Sequence, residues 1–278
     1  MKIDVRDFNL KHIFECGQCF RWNANLNGSY TVVAGNRIAT LSMEYTNAEK
    51  TAGILNIDTA SCRESEEFWR NYLDLYRDYG KIKEVLAERD DVMRRVIPFG
   101  GGIRILKQDS WEATVSFLIS QNNNIPRIKN NIRDLSKLLG ESIGFYAGEE
   151  YFGIPSPEAL AKVTEEELAP VRLGYRAKYL IETAKCIVSK GRQVIESDVK
   201  SLCGVGPKVA NCINLFGLGK VESFPIDVWI KKTMKDLYGI KKDDEMKAYA
   251  ERTFGEYAGI AQQYLLTQIG RASCRERV

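Results

Sequence analysis

The chain contains one histidine, His12, among 278 residues. That scarcity excludes a histidine-rich metal centre and leaves His12 as the sole imidazole for any Ser-His-Asp arrangement. Nothing around His12 suggests that role, and it reads as a partly buried surface residue. The 7 cysteines are odd in number and scattered at positions 16, 19, 62, 186, 203, 212 and 274, which is no disulfide framework. Cys16-Gly17-Gln18-Cys19 is a lone CxxC with no second pair to complete a zinc site. No apolar run approaches the roughly 18 residues of a membrane helix. The N-terminus, Met1-Lys2-Ile3-Asp4, carries an acid where a secretory signal would be apolar. These absences predict an intracellular, soluble chain with no membrane partner, cytoplasmic or nucleoid-associated in a prokaryote and nuclear in a eukaryote.

Neither sign of charge dominates. The net charge is +3, and the last ten residues inflate it. Residues 269–278, Ile269-Gly270-Arg271-Ala272-Ser273-Cys274-Arg275-Glu276-Arg277-Val278, resemble a translated sequencing adapter and are expected to be a non-native tail. Without Arg271, Arg275, Arg277 and Glu276 the counts fall from 40 basic and 37 acidic residues to 37 and 36, a net +1. Affinity for a polyanion must therefore come from a local patch.

What is present divides the chain in two. Residues 18–58 carry β-branched, alternating runs, Tyr30-Thr31-Val32-Val33 and Arg37-Ile38-Ala39-Thr40-Leu41, punctuated by Asn27-Gly28 and Gly35-Asn36. They predict an antiparallel meander. From Glu64 the period becomes helical, with Phe68, Tyr72, Leu73 and Leu75, then Ile82, Val85 and Leu86. After Pro98-Phe99-Gly100-Gly101-Gly102 the reading is almost entirely helical. Ser110 caps a helix that ends at Asn122-Asn123-Asn124, and a second helix covers 125–139. A loop with Gly144, Gly148, Gly153, Pro155 and Pro157 follows, then helices near 176–190, 197–202, 207–217, 228–238, 244–253 and 257–268. The expectation is an α+β protein: an N-terminal antiparallel β-sheet domain with flanking helices (1–107), then an all-helical domain (108–268).

The most informative stretch is Leu202-Cys203-Gly204-Val205-Gly206-Pro207-Lys208-Val209-Ala210-Asn211-Cys212. A tight Gly-x-Gly turn feeds a helix with proline in its first turn, which exposes N–H groups at a helix N-terminus, an anion site. The GxxxxGK[ST] spacing of a Walker loop is absent. Asp227 stands 19 residues after Lys208. A helix of about 15 Å followed by a Gly217-Leu218-Gly219 reversal can return Asp227, itself an N-cap, to the side of Lys208.

Helix–hairpin–helix, Gly/Pro-rich loop and aspartate together resemble the helix–hairpin–helix DNA glycosylases, and the hairpin lysine resembles their bifunctional glycosylase/lyase members. Three further segments narrow the resemblance to the 8-oxoguanine DNA glycosylase family: Cys16-Gly17-Gln18-Cys19-Phe20-Arg21-Trp22, Ser116 through Ile128, and Leu173-Gly174-Tyr175-Arg176-Ala177-Lys178-Tyr179. The likeness spans roughly Val5 to Gln268.

The resemblance implies a base-excision enzyme that flips 8-oxoguanine from double-stranded DNA, cleaves its N-glycosidic bond with Lys208 and nicks the strand by β-elimination. A lysine attacking carbon must first lose its proton, and Asp227 would stabilise positive charge developing at the sugar. Asn122 would fill the gap left by the flipped base. Arg127 and Arg176 would read the opposite cytosine, whose O2 and N3 acceptors suit guanidinium donors, and Tyr175 would wedge into the stack. The Gly17 carbonyl would discriminate the lesion, because 8-oxoguanine presents an N7–H donor where guanine presents an acceptor. Gln262 would read the Watson–Crick edge, and Cys212 and Leu266 would line the base. The amides of Gly204, Gly206 and Val209 would grip a phosphate, with a monovalent cation as an intermediary. The resemblance implies no cofactor, no metal-ligating side chains and a monomer.

Two positions depart from the family pattern. Trp229 stands where some relatives have a phosphate-contacting histidine, and Leu266 where some stack a phenylalanine. The iron–sulfur cysteines of other members of the superfamily have no counterpart after Asp227. An alkylated-base glycosylase of the same fold would keep the aspartate but lack Lys208. A non-enzymatic DNA-binding module would need the Gly204-Val205-Gly206 turn but not Lys208, Asp227 and the pocket residues.

Overall fold

The computed structural model describes residues 1–59 and 65–275, with 268–275 as backbone only. The first third is a five-stranded antiparallel sheet of β1 (Lys2–Arg6), β2 (Trp22–Ala24), β3 (Tyr30–Ala34), β4 (Arg37–Tyr45) and β5 (Ala52–Thr59), in the order β1-β5-β4-β3-β2. The register sets Leu41 opposite Ile57 and Val32 opposite Ala39. Alternate residues Ile3 and Val5 turn inward to pack with Phe8, Leu10, Ile13 and Phe14, the last three on or beside α1 (Leu10–Phe14), and with Trp69, Tyr72 and Leu73 of the α2 region (α2, Glu66–Tyr72). β1 lies outside the expected meander. Five residues that alternate only twice are a weak signal alone, and pairing to β5 is what fixes them. His12 is half-buried, its Nδ1 accepting from the Gly102 amide at 3.3 Å.

The helices α3 (Tyr79–Arg89) and α4 (Asp91–Val96) precede residue 107 yet pack into the second, helical core through Tyr79, Ile82, Leu86 and Met93. That core continues through α5 (Ser110–Ser120), α6 (Ile125–Leu139), α7 (Pro157–Leu160), α8 (Arg176–Lys190), α9 (Val194–Asp198), α10 (Pro207–Gly217), α11 (Val228–Tyr238), α12 (Asp243–Thr253) and α13 (Ala258–Arg275).

Four details correct the expectation. Asp109, not Ser110, caps α5, its carboxylate accepting from the Trp111 and Glu112 amides at 3.0 Å each; both residue types cap well, so composition alone left the frame open by one. The 140–157 loop contains a hairpin of β6 (Ser142–Tyr146) and β7 (Glu149–Phe152). Its Ala147-Gly148 turn has positive φ at both centres (50° and 85°), the twist that closes two-residue hairpins. The expected helix at 197–202 is α9 plus a short 3-10 turn, Val199–Ser201, because Val194 and Ile195 bury earlier than the pattern suggested. The last helix runs to Arg275, beyond 268, since no proline interrupts 269–275. Otherwise the adapter-like tail lies outside the described side chains.

Arg21 joins the sheet layer to the second half of the chain. Arg21 Nη1 meets Glu112 of α5 at 2.9 Å with both groups almost fully buried, and its Nη2 donates to the Phe152 carbonyl at 2.7 Å. α5 and α10 lie side by side, with the Phe117 and Phe216 rings stacked at 5.3 Å and 19°.

Candidate active site and DNA-facing surface

The hairpin before α10 is built as its sequence dictates. Gly204 has φ +78°, and a Cβ there would come within 2.4 Å of the Tyr179 ring, so only glycine fits. Gly206, by contrast, has no positive φ, and a Cβ there would meet nothing within the protein. Glycine at 206 is therefore not a demand of the fold. Gly206 caps α10 with no side chain, so no capping side chain meets the first-turn amides of Lys208 and Val209 at the positive end of an 11-residue helix.

Lys208 is half-buried, its Nζ lying 5.7 Å from the centroid of the Phe117 ring, on which a cation is favoured. One turn along α10, Cys212 is buried and interacts with both Lys208 and Asp227. Burial pushes the Cys212 thiol up to about 11, against a lowering contribution from the Lys208 charge and hydrogen bond. The thiol is neutral at physiological pH and acts as a small polarisable wall. Asp227 caps α11 through one oxygen, Oδ1, which accepts from the Trp229 amide at 3.0 Å and the Ile230 amide at 2.8 Å. Lys208, hydrogen-bonded to the thiol, and Asp227 act on it with opposite charges, and they form no ion pair with each other among the described residues. Cys212 is thus the group that both charges act on.

Around them, Gln262 of α13 is buried and donates to the Pro225 carbonyl at 3.2 Å, two residues before Asp227. Its carbonyl oxygen accepts from Gln263 at 2.6 Å. Leu266 is half-buried against the helical core. Trp229 is 49% exposed. Gly17 lies in the turn after α1 at φ +85° with open space around it, so glycine is required there by backbone conformation. Cys16 and Cys19 flank it; burial pushes the Cys16 thiol up to about 11, and that thiol donates to the Ile13 carbonyl.

A second cluster sits where the α5–α6 turn meets the start of α8. Asn122 is exposed with a left-handed φ of 45°. Asn124 caps α6 by accepting the Arg127 amide at 3.0 Å. Arg127 is exposed, its guanidinium donating to the Arg172 carbonyl at 3.3 Å. Tyr175 is 49% exposed, whereas Arg176 beside it is buried. Arg176 donates to the carbonyls of Gln121 (through Nε at 2.8 Å, and through Nη2), Asn122 at 2.8 Å and Leu173 at 3.0 Å. Its guanidinium, expected to read an opposite cytosine, is thus bound to the backbone carbonyls of this turn and of Leu173. Two residues of structural weight carry no signal in the sequence, Glu112 opposite Arg21 and Gln108 beside the Gly17 turn, and Phe117, beneath Lys208, stands in a family-like segment without a role of its own. Glu112 and Phe117 sit in the helix that starts at Ser110, and Gln108 just before it, where the sequence shows only a helix and its cap.

Comparison with known proteins gives this geometry a family. Residues 1–114 match the family model of the 8-oxoguanine DNA glycosylase N-terminal domain, and residues 115–256 that of the HhH-GPD superfamily of base excision DNA repair proteins. An N-glycosylase/DNA lyase of Arabidopsis thaliana, OGG1, is 30% identical over 95% of this chain and 78% of its own length. The N-glycosylase/DNA lyase of Saccharomyces cerevisiae is 28% identical over 98% of this chain and 86% of its own. Among solved structures, the Clostridium acetobutylicum 8-oxoguanine glycosylase/lyase, in complex with duplex DNA containing cytosine opposite 8-oxoguanine, superposes with a TM-score of 0.88 at 35% identity, covering 98% of each chain. MBOgg1 with a low-affinity DNA ligand gives 0.89 at 40% identity, covering 98% of this chain and 96% of its own. A 3-methyladenine DNA glycosylase of Archaeoglobus fulgidus, 17% identical with a TM-score of 0.73, shares the fold.

Proposed function

The chain belongs to the 8-oxoguanine DNA glycosylase family of the HhH-GPD base-excision repair superfamily, and we propose that it excises 8-oxoguanine from duplex DNA and then nicks the strand, using Lys208 as nucleophile. The observation that carries this reading is the convergence of Lys208 and Asp227 on the buried Cys212 thiol, with the uncapped end of α10 beside them.

The amine of Lys208, once deprotonated, attacks C1′ of the deoxyribose. The C1′–N9 bond breaks and its electron pair leaves with the base. Opening of the sugar ring gives an iminium between Lys208 and C1′. Loss of a C2′ proton then expels the 3′ phosphate, which is β-elimination. Asp227 supports the positive charge that develops at the sugar, using the oxygen not committed to the cap. The Lys208 and Val209 amides, with those of the Gly204–Gly206 turn, hold a backbone phosphate.

The flipped base lies between the Gly17 turn and Cys212, with Gln262 at its Watson–Crick edge and Leu266 beyond. Asn122 occupies the vacated space and Tyr175 wedges the stack. Arg127 reads the opposite cytosine. Arg176 braces the turn that presents Asn122. Trp229 contacts the phosphate backbone through its indole N–H. The working unit is a monomer whose domains divide near residues 107 and 108, with 269–278 outside the enzyme proper. Incubating the protein with a duplex bearing 8-oxoguanine opposite cytosine, beside one bearing 3-methyladenine, tests the reading. Base release and strand cleavage are expected on the first only; release of the methylated base with 8-oxoguanine untouched overturns it.

A further inference from the structure

Four hydrogen bonds converge on the residue that follows Gly17. Gln18 is fully buried. Its Nε2 donates to the carbonyls of Ile13 and Arg104, each at 2.8 Å, and its Oε1 accepts from the Leu106 amide at 2.8 Å. Its main-chain carbonyl accepts from Nε2 of Gln108 at 2.7 Å. A buried amide is costly unless its donors and acceptor are met, and here they are met by backbone on both sides of the turn. The partner segment is itself held, since the Arg104 guanidinium donates to the carbonyls of Arg6, Asp7 and Asp74 at 2.7, 3.0 and 2.7 Å.

Gln108 carries the chain of contacts onward. Its backbone amide donates to the Phe216 carbonyl at 3.3 Å, in the last turn of α10. The helix that carries Lys208 and the turn that carries Gly17 belong to different halves of the chain, and Gln108 touches both. Gly17, between the anchored Gln18 and the Cys16 thiol, has a carbonyl that accepts no hydrogen bond among the described residues.

We propose that Gln18 and Gln108 are positioning residues for damage recognition: they hold the Gly17 carbonyl at a fixed distance from α10, so that a base donating N7–H is kept with its C1′ within reach of Lys208. The inference rests on the reading of Gly17 as the discriminating contact. An apolar pair of the same size would fill the space, but it would leave the turn free to shift along α10. A directional bridge of this kind matters only when a base is being read. An abasic site, which presents no N7, does not need it.

The test compares single-turnover cleavage of two duplexes, one with 8-oxoguanine opposite cytosine and one with an abasic site in its place. Gln108→Leu removes one hydrogen bond from the bridge; Gln18→Met removes three. With Gln108→Leu, 8-oxoguanine excision is expected to slow about tenfold, the worth of one such bond, with cleavage at the abasic site changing less than about twofold. Gln18→Met, if it folds, should widen the gap between the two substrates further. Equal slowing on both duplexes overturns the proposal, because a bridge that only supports the fold would act on both; unchanged excision of 8-oxoguanine overturns it too. A duplex with 8-oxo-7-deazaguanine, which has C–H in place of N7–H, separates the two inferences. If the Lys208→Gln protein binds it as tightly as 8-oxoguanine, the reading of Gly17 fails whatever the glutamine variants do. If it discriminates while Gln108→Leu leaves excision intact, the Gly17 reading stands and the bridge falls.

Discussion

The buried guanidinium of Arg176 donates to the Asn122 carbonyl at 2.8 Å, and Asn122 is one of the few non-glycine residues with a left-handed backbone. That conformation costs of order 1 kcal/mol and persists where neighbours hold it. Arg176, which also grips the Gln121 and Leu173 carbonyls, supplies the hold. The two arginines of this surface therefore have different work. Arg127 is exposed, and the proposed function sets it to read the opposite base; Arg176 shapes the turn that presents Asn122.

Substitution separates them. Arg127→Ala should relax the preference for cytosine, with ~1–3 kcal/mol lost opposite cytosine and little opposite other bases. Arg176→Lys, which keeps the charge but not the planar fork, should slow excision opposite all four bases by a similar factor. Excision rates against the four opposite bases decide the matter: equal loss across all four with Arg127→Ala would make Arg127 a backbone support.

The Arg21–Glu112 pair predicts a pH-dependent stability defect. Removing one partner of a buried pair costs about 3–5 kcal/mol, because the other charge is left uncompensated. Burial already pushes the Glu112 carboxyl up, with Arg21 opposing it. A carboxyl raised in the folded state favours folding below its unfolded value and loses that contribution as pH rises through the folded one. Arg21→Ala raises it further, so its deficit relative to the wild type should be largest at neutral pH and shrink on acidification. Urea denaturation at pH 7 and pH 5 measures this; a deficit independent of pH would mean Glu112 carries no charge in the fold.

Much of this architecture is legible in the residues, and the exceptions share a cause. α10 and α11 are announced locally, by Pro207 after the glycine turn and by Asp227 as a cap, so their place follows from the local sequence. β1 and the β6–β7 hairpin are not announced, because their stability comes from partners distant in sequence: β5 for the first, and Thr40 and Arg21 for the second. The same holds for side-chain roles. Nothing local marks Arg176 as buried; the carbonyls that hold it belong to a turn 54 residues away. Gln18 sits within a recognisable motif, but its partners Arg104, Leu106 and Gln108 lie 86 to 90 residues along the chain.

The tail predicts an absence of effect. Residues 269–278 carry no core-facing apolar stripe in sequence. Ending the chain after Gln268 should leave both the melting temperature and 8-oxoguanine excision unchanged. A fall of several degrees would mean that these residues pack against the domain and contribute to its stability.

The assignment of Lys208 as nucleophile is tested most directly by borohydride trapping, since attack by an amine leaves an imine with the opened sugar that reduction makes permanent. The wild type, incubated with 8-oxoguanine duplex and borohydride, should yield a covalent protein–DNA adduct on a denaturing gel. Lys208→Gln should bind the same duplex, with affinity that falls as salt rises, and yield none. Asp227→Asn, which keeps the cap but removes the charge, should yield the adduct slowly. An adduct of undiminished yield from Lys208→Gln would contradict the account and put the nucleophile elsewhere than at the start of α10.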